Sequence, residues 1–252
     1  MPSSGSPSEQ PTDPQDSKAG PCRRQELEHR LRDLQTDRDA YLELASIYRI
    51  ENRPLNAAQT LKKAHEVFPN DTSILWEWEE ARLARSMQQL GEVREMAAKA
   101  KSALADTELE RSQTDWATCR ISVCQARIAR DPEMQHLRLV LGEALYDMER
   151  YEEALAELKP LEDVAQHSST AAFWQGRCHL IMGNDGEAMR YLRNASLRRA
   201  VPTHTKVRVA ALKLLIDLAE RHGLTATLEQ YQSTLASLLE AESNAAVKAS
   251  SS

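Results

Sequence analysis

Apolar and small side chains recur along the chain with the spacing of one helix face. In the stretch GRCHLIMGNDGEAMRYLRNA, which begins at Gly176, small or apolar residues follow that glycine after steps of twelve, four and three residues. The steps of four and three place three side chains on one face of a helix. The twelve-residue step spans the end of one helix, a turn and the start of a second helix. The pattern therefore predicts a hairpin of two helices.

The same three steps begin at Ala45, Gly142 and Gly176. The residues reached are Ala57, Leu61 and Ala64 in the first copy, Ala154, Leu158 and Leu161 in the second, and Ala188, Leu192 and Ala195 in the third. Gly142 and Gly176 are 34 positions apart, whereas Ala45 and Gly142 are 97 apart, slightly fewer than three such intervals. The sequence therefore predicts repeated helix pairs of about 34 residues, with one shortened unit between the first two copies.

This pattern resembles the tetratricopeptide repeat, whose signature is W-x2-L-G-x2-Y, then A-x3-F-x2-A, then P. The matching residues are Tyr41, Leu44, Ala45, Tyr48, Ala57, Leu61, Ala64 and Pro69, then Leu141, Gly142, Leu145, Ala154, Leu158 and Leu161, then Gly176, Ala188, Leu192 and Ala195. Gln175 stands where a large apolar residue is usual. The resemblance implies an all-α fold, a right-handed superhelical solenoid of antiparallel helix pairs with atypical units at its ends.

The repeat register divides the chain into a helical-repeat domain and two tails. We expect the domain at 24–241, with clear units at 38–71, 135–168 and 169–202 and degenerate units at 72–105, 106–134 and 203–241. Gly91 is expected to separate two helices in the first degenerate unit, and the register between 72 and 134 stays open. The tails, 1–23 and 242–252, are mainly polar, and this composition predicts disorder.

Composition narrows the possible functions. The chain of 252 residues has few glycines and aromatics. Its net charge is −6, and because nucleic-acid binders usually carry a surplus of basic residues, nucleic acid is not the expected partner. No stretch has the roughly 18 apolar residues of a membrane helix, and the N-terminus lacks the apolar region of a secretory signal. Four cysteines are too few and too scattered for a disulfide framework. We therefore expect a cytoplasmic protein without membrane insertion.

The candidate chemical motifs are incomplete. The tetrapeptide GNDG at 183–186 lacks the Gly-Lys-Ser/Thr of a phosphate loop and the alternating acidic ligands of a Ca²⁺ loop, so we interpret it as a turn. Cys119 and Cys124 are five residues apart and fall on different helix faces, and no third ligand stands in register with Cys178 and His179. We therefore expect no catalytic residue, no metal and no cofactor, and a protein that is not an enzyme.

In the repeat family, the first helices of successive units line a concave groove that binds a partner. The residues that the register carries to this groove are Leu42, Arg49, Leu139, Val140, Glu143, Tyr146, Phe173, Trp174, Arg177, Leu180 and Ile181. The Lys, Asn and Arg with which some family members grip a C-terminal carboxylate are absent from these places. The set is apolar around Trp174, and aromatic and Arg side chains are frequent binding hot spots. Alternatively, Phe173 and Trp174 fill the contact between neighbouring units.

Two classes of function follow from this interpretation. The first is a non-catalytic protein-interaction scaffold or adaptor whose groove binds a peptide or amphipathic helix of another protein. The alternative is a helical-repeat regulator that binds nucleic acid through the basic segment 190–208, which contains Arg190, Arg193, Arg198, Arg199, Lys206 and Arg208. Cations near helix ends, favoured by the helix dipole, also account for that segment. An accessory subunit of an enzyme, without chemistry of its own, is a third possibility.

Overall fold

The computed structural model describes residues 21–197 and 203–250, and within these ranges the chain is helical and contains no β-strand. The helices are α1 (Pro21–Asp33), α2 (Arg38–Ile50), α3 (Pro54–Val67), α4 (Thr72–Ala100), α5 (Ala103–Arg130), α6 (Gln135–Asp147), α7 (Tyr151–Leu158), α8 (Ser168–Ile181), α9 (Asp185–Leu197), α10 (Thr205–Arg221) and α11 (Thr225–Ser250), with a short 3₁₀ helix at Lys159–Leu161. The prediction of an all-α protein is therefore confirmed.

The described ends of the helical part differ from the predicted limits of the tails. Residues 1–20 and 251–252 lie outside the described residues. α1 begins at Pro21, because proline is well suited to the first position of a helix. α11 continues to Ser250, beyond position 241, the predicted end of the folded domain.

The described residues form two compact units, which divide between Gln89 and Leu90. In the first unit, α2 packs against α1 and α3, and the start of α4 adds Ile74 and Ala81 to the core. The other buried members of this core are Leu27, Ala40, Tyr41, Leu44, Ala45, Ile47, Tyr48, Ala57, Leu61 and Ala64. α2 and α3 thus form an antiparallel hairpin within the segment 38–71.

In the second unit, α6 packs against α5 and α7, α8 against α7 and α9, and α10 against α9 and α11. The largest core cluster joins α8, α9, α10 and α11 through Leu192, Leu212, Leu215, Leu218 and Tyr231. A second cluster joins α5 to α6, α7 and α8, and it contains both Cys124 and Cys178. Successive hairpins therefore bury each other's apolar faces.

Two glycines show why small and large residues recur at fixed steps. A Cβ atom added to Gly142 would lie 2.6 Å from Leu158 Cγ, and one added to Gly176 would lie 2.7 Å from Leu192 Cγ. In each pair, the leucine is reached from the glycine by the twelve-residue step followed by the four-residue step of the sequence pattern. The missing side chain lets the first helix of the hairpin approach the second, so the pattern records a direct contact between the two helices.

The interval from 72 to 105 differs from its prediction. α4 is a single helix that continues through Gly91, so the expected break is wrong. A glycine costs only about 1 kcal/mol relative to alanine inside a helix, and no turn-forming neighbour accompanies this one. Leu90 and Val93, on either side of Gly91, are buried, and this burial offsets the cost.

The tetrapeptide GNDG is a corner between α8 and α9. Asn52, Glu149, Gly183 and Gly223 all have positive φ values, of 54°, 58°, 77° and 66°. At all four turns the N–H of the following residue donates to the carbonyl five positions earlier, at 2.8–2.9 Å, which closes the end of the first helix. The turn prediction is confirmed, and the carboxylate of Asp185 in this turn lies 2.7 Å from His222 Nε2.

The turn at Glu149 gives a stability prediction. A left-handed backbone costs an L-residue roughly 1–2 kcal/mol, a cost that glycine does not incur. Glu149→Gly is therefore expected to raise the free energy of unfolding by about 0.5–1 kcal/mol in urea titrations. The matched control, Glu152→Gly in the first turn of α7, should lower it by about 0.5–1 kcal/mol. A loss of stability in both variants would contradict the predicted role of this turn.

Candidate functional site

The eleven residues assigned to the groove divide between the two compact units. Leu42 and Arg49 belong to α2 in the first unit. Leu42 is half-buried against the core of that unit, and Arg49 Nη2 lies 2.5 Å from Glu77 Oε2 on α4. These two residues hold α2 in place, and they form a set separate from the nine residues on α6 and α8.

In the second unit, four of the assigned residues meet, and three of them are aromatic rings packed against the guanidinium group of the fourth. The guanidinium carbon of Arg177 lies 4.3 Å from the ring centroid of Tyr146, 4.6 Å from that of Trp174 and 5.7 Å from that of Phe173. The Tyr146 and Trp174 centroids are 5.2 Å apart, and those of Phe173 and Trp174 are 5.5 Å apart. Burial raises the pKa of Tyr146. We call the side of the second unit formed by the nine assigned residues the α6–α8 face.

Helix geometry explains why these four side chains meet. Phe173 and Trp174 stand four and three positions before Arg177 on α8, a spacing that brings side chains together on one helix surface. Tyr146 reaches them from the last turn of α6, which packs beside α8. An arginine stacked on aromatic rings contributes roughly 0.5–2 kcal/mol per contact, depending on its exposure.

The aromatic side chains of this face also pack against the core. Trp174 and Leu139 contact the cluster of Leu158, Leu161 and Ala171, and Phe173 contacts the cluster that contains Leu192. Both aromatic rings are half-buried. The two rings therefore contribute to the contact between repeats, as expected of a packing role, and they also form part of the α6–α8 face.

The remaining assigned residues differ in exposure. Val140 and Leu180 are half-buried against core clusters, whereas Ile181 is 51% exposed at the end of α8. Glu143 lies 3.3 Å from Arg120 Nη2, so its charge is paired within the chain. Among the assigned apolar residues, Ile181 has the largest exposed fraction.

α5 also contributes to the α6–α8 face, through Arg120, a residue that the repeat register does not indicate. Arg120 is 8% exposed, and its Nη1 donates to Asp147 Oδ2 at 3.3 Å. Its Nη2 donates to the Val140 carbonyl at 3.4 Å, and its guanidinium carbon lies 5.6 Å from the Trp116 centroid. Burial is the main cause that raises the pKa of Asp147. Trp116 and Arg120 are four positions apart, and this spacing was the available signal once α5 was known to be one helix.

Three of the four described cations of the basic segment contact groups of the same chain. Arg190 pairs with Glu187 at 2.6 Å and lies 4.1 Å from the Tyr191 centroid. Arg193 Nε donates to the Tyr231 hydroxyl at 2.5 Å, and Arg208 Nε donates to the Ser196 carbonyl at 3.1 Å. Lys206 is exposed in the first turn of α10, while Arg198 and Arg199 lie outside the described residues.

Cys178 and His179 on α8 have packing roles. Cys178 is fully buried, and burial raises its pKa to about 11, so its thiol stays protonated at neutral pH. His179 stacks on Tyr191 with ring centroids 5.3 Å apart, and burial lowers its pKa. Within 21–197 and 203–250, no three His, Cys, Asp or Glu side chains are grouped so that they could hold a metal ion.

Among the helices of the described ranges, none combines the length and the apolar character that crossing a bilayer requires.

Comparison with solved structures gives the fold. The chain is similar to the MamA RS-1 ArsTM double mutant, with a TM-score of 0.52 and 13% identity over 82% of this chain and 97% of that one. It is also similar to MamA 41-end from Desulfovibrio magneticus RS-1, with a TM-score of 0.50 and 13% identity over 83% of this chain and 97% of that one. MamA is a tetratricopeptide-repeat protein, so the predicted solenoid class of fold is confirmed. No protein-family model and no curated protein sequence matches the chain.

Proposed function

We propose that the chain is a non-catalytic interaction scaffold or adaptor, and that its α6–α8 face binds a peptide or an amphipathic helix of a partner protein. The observation that carries this proposal is the Arg177 guanidinium packed against the adjacent rings of Tyr146 and Trp174. Trp, Tyr and Arg are the residue types most enriched in binding hot spots. Because three rings already fix the guanidinium, little side-chain entropy is lost when a partner covers it.

The surroundings of this cation have the arrangement of a binding surface. Ile181 offers an exposed apolar side chain at one end of α8. Glu143 and Asp147 keep 39% and 43% of their side-chain surface exposed and pair with the buried Arg120. An apolar and aromatic centre with a charged rim is typical of protein interfaces. An amphipathic helix that presents apolar residues three and four positions apart would fit it.

The charged groups of this face support a role without catalysis. Arg120 pairs with both Glu143 and Asp147, and Arg177 packs on aromatic rings. Such contacts hold the side chains of the surface in one arrangement. A surface with a fixed arrangement of side chains is sufficient for binding a partner. Residence in the cytoplasm stays a prediction from the sequence.

The nucleic-acid alternative has weaker support. Arg190, Arg193 and Arg208 each contact a group of the same chain, and the protein carries a net charge of −6. Displacing these contacts would reduce the gain from binding phosphates. Salt separates the two functions, because affinity for nucleic acid falls steeply with added salt, whereas binding to an apolar face depends on it much less.

Photocrosslinking tests the proposed function. A photoreactive benzoylphenylalanine in place of Ile181 should form a covalent adduct with a partner protein in the native host. The matched control places the same residue at Leu224, which is 39% exposed in the turn after α10. Mass spectrometry identifies the adduct, and the experiment is repeated at high salt.

The two positions give opposite expected results. An adduct with the same protein at position 181, absent at 224 and retained at high salt, supports the proposal. Equal adducts at both positions, or an adduct that consists of nucleic acid, would contradict it.

A further inference from the structure

Gln175 is a buried polar residue at a position that is apolar in the other clear repeats. The corresponding residues are Leu44 and Leu141, and all three side chains are at most 4% exposed. Gln175 Nε2 donates to Glu162 Oε1 at 2.8 Å, but Gln175 Oε1 is buried and has no hydrogen-bond partner among the described residues. An unpaired buried acceptor costs about 1–3 kcal/mol, so a leucine would be the more stable choice.

The side chain of Gln175 lines a cavity of about 240 Å³ between α8, α9 and the segment before α8. The polar residues around this cavity are Glu162, Asp163, Ser168, Gln175, Tyr191 and Asn194. Its described lining contains two carboxylates and no cationic side chain. Successive helix positions differ by about 100°, so the cavity lies on another side of α8 than Trp174.

The preceding repeat shows what the same positions hold when they are filled. Ala172 also lines the cavity, and Arg138 is the equivalent residue 34 positions earlier. In the same way, Glu157 is the equivalent of Tyr191. In that repeat Arg138 Nη1 donates to Glu157 Oε2 at 2.7 Å. The first clear copy has the buried ring of Tyr41 at this position. Ala172 is therefore much smaller than its equivalents, Tyr41 and Arg138. The cavity lies where those larger side chains would extend.

We propose that this cavity binds the guanidinium group of an arginine side chain from a partner protein. Glu162 and Asp163 supply the negative charge. Gln175 Oε1 is covered by neighbouring atoms, and a rotation of its side chain would let it accept one N–H. Guanidinium suits the site better than an ammonium group, because it is weakly hydrated and carries five donors in a plane that several acceptors can share. The Arg138–Glu157 pair shows that the preceding repeat holds an arginine at the position of Ala172, beside a carboxylate. In the cavity Tyr191 stands at the position of Glu157, and Glu162 and Asp163 supply the carboxylates instead.

The proposal is tested on the full-length protein by an NMR titration with N-acetyl-arginine amide. We expect saturable shifts of the Gln175 side-chain amide and of the backbone signals of Asp163 and Asn194. N-acetyl-citrulline amide has nearly the same shape without the charge, and N-acetyl-lysine amide has the charge without the planar donors. Each should bind about fivefold or more weakly. Free arginine, whose α-carboxylate faces two carboxylates, should also bind more weakly than the amide.

Three variants separate a binding site from a packing feature. Asp163→Asn should weaken binding of the arginine amide about threefold or more, because it removes an exposed charge without changing shape. The control Asp217→Asn, on α10, should leave binding unchanged. Ala172→Arg should abolish binding, because its own guanidinium fills the cavity. Gln175→Leu should lose binding while its melting temperature stays equal or rises.

Several results would overturn the proposal. Equal affinity for the citrulline and arginine amides would show that charge has no role. Binding that survives both Asp163→Asn and Ala172→Arg would place the probe elsewhere, and an absence of shifts would mean that only water satisfies Gln175. The site is independent of the α6–α8 face, so the crosslinking at position 181 neither supports nor contradicts it.

Discussion

Leu192→Ala is expected to lower the free energy of unfolding of the second unit by about 2–5 kcal/mol. Leu192 is fully buried in the cluster that joins α8, α9, α10 and α11. Its side chain lies against Gly176, where the two helix backbones are close together. Because the glycine has no side chain that could move into the space, the cavity left by the shortened residue cannot be filled locally.

Urea unfolding followed by far-ultraviolet circular dichroism measures this loss. The control Leu104→Ala removes the same atoms from a side chain of α5 that is 81% exposed, and it should change the stability by less than about 0.5 kcal/mol. The two compact units can unfold in separate transitions, so only the transition that shifts in the variant is analysed. Equal small effects at both positions would show that Leu192 does not hold the hairpins together.

Trp174→Ala is expected to weaken binding of the partner captured at position 181 by about 30-fold, or about 2 kcal/mol. The substitution removes the largest ring that supports Arg177, 4.6 Å from its guanidinium carbon. The loss therefore includes both the contact of the indole with the partner and the orientation of the guanidinium. Isothermal titration calorimetry with the purified partner measures the change.

A milder variant separates binding from stability, because Trp174 also packs against Leu158 and Leu161. Arg177→Lys keeps the charge but loses the planar group that stacks on the rings, so it should weaken binding by about tenfold. Its melting temperature should fall by no more than about 2–4 °C, the shift expected for a loss of about 1 kcal/mol. Unchanged affinity in both variants would remove this face from the binding site.

The repeat pattern was predictable because it arises from contacts and turns between residues that are close in sequence. The steps between Gly176, Ala188 and Leu192 describe a contact between two helices that follow each other in sequence. The turn residues Gly183 and Gly223 describe a backbone conformation that few other residues adopt. Both signals depend only on neighbours within one hairpin.

The interval between the first two clear copies was less predictable, because there the local signal and the packing disagree. Gly91 suggested a break, but burial of Leu90 and Val93 continues α4 through it. The contact of Arg120 with Asp147 joins residues 27 positions apart in different helices, and the repeat register does not include it. Long-range polar contacts of this kind leave no periodic signal in one sequence.

The α6–α8 face was partly predictable. Carrying the repeat register from α6 to α8 identified Tyr146, Trp174 and Arg177, which the structure places together. The same register included Leu42 and Arg49, which belong to the first unit. Register alone assigns equivalent positions, and it does not show whether those positions belong to one compact unit.

A double-mutant cycle at Gly176 and Leu192 tests most directly whether each sequence repeat is a pair of helices in contact. Gly176→Ala alone should cost about 1–3 kcal/mol, because its new methyl group overlaps Leu192. In the Leu192→Ala background the methyl group enters the cavity, so Gly176→Ala should be neutral or stabilising, with a coupling of at least about 1 kcal/mol. Additivity within about 0.5 kcal/mol would contradict the account, because it would mean that the two residues do not touch.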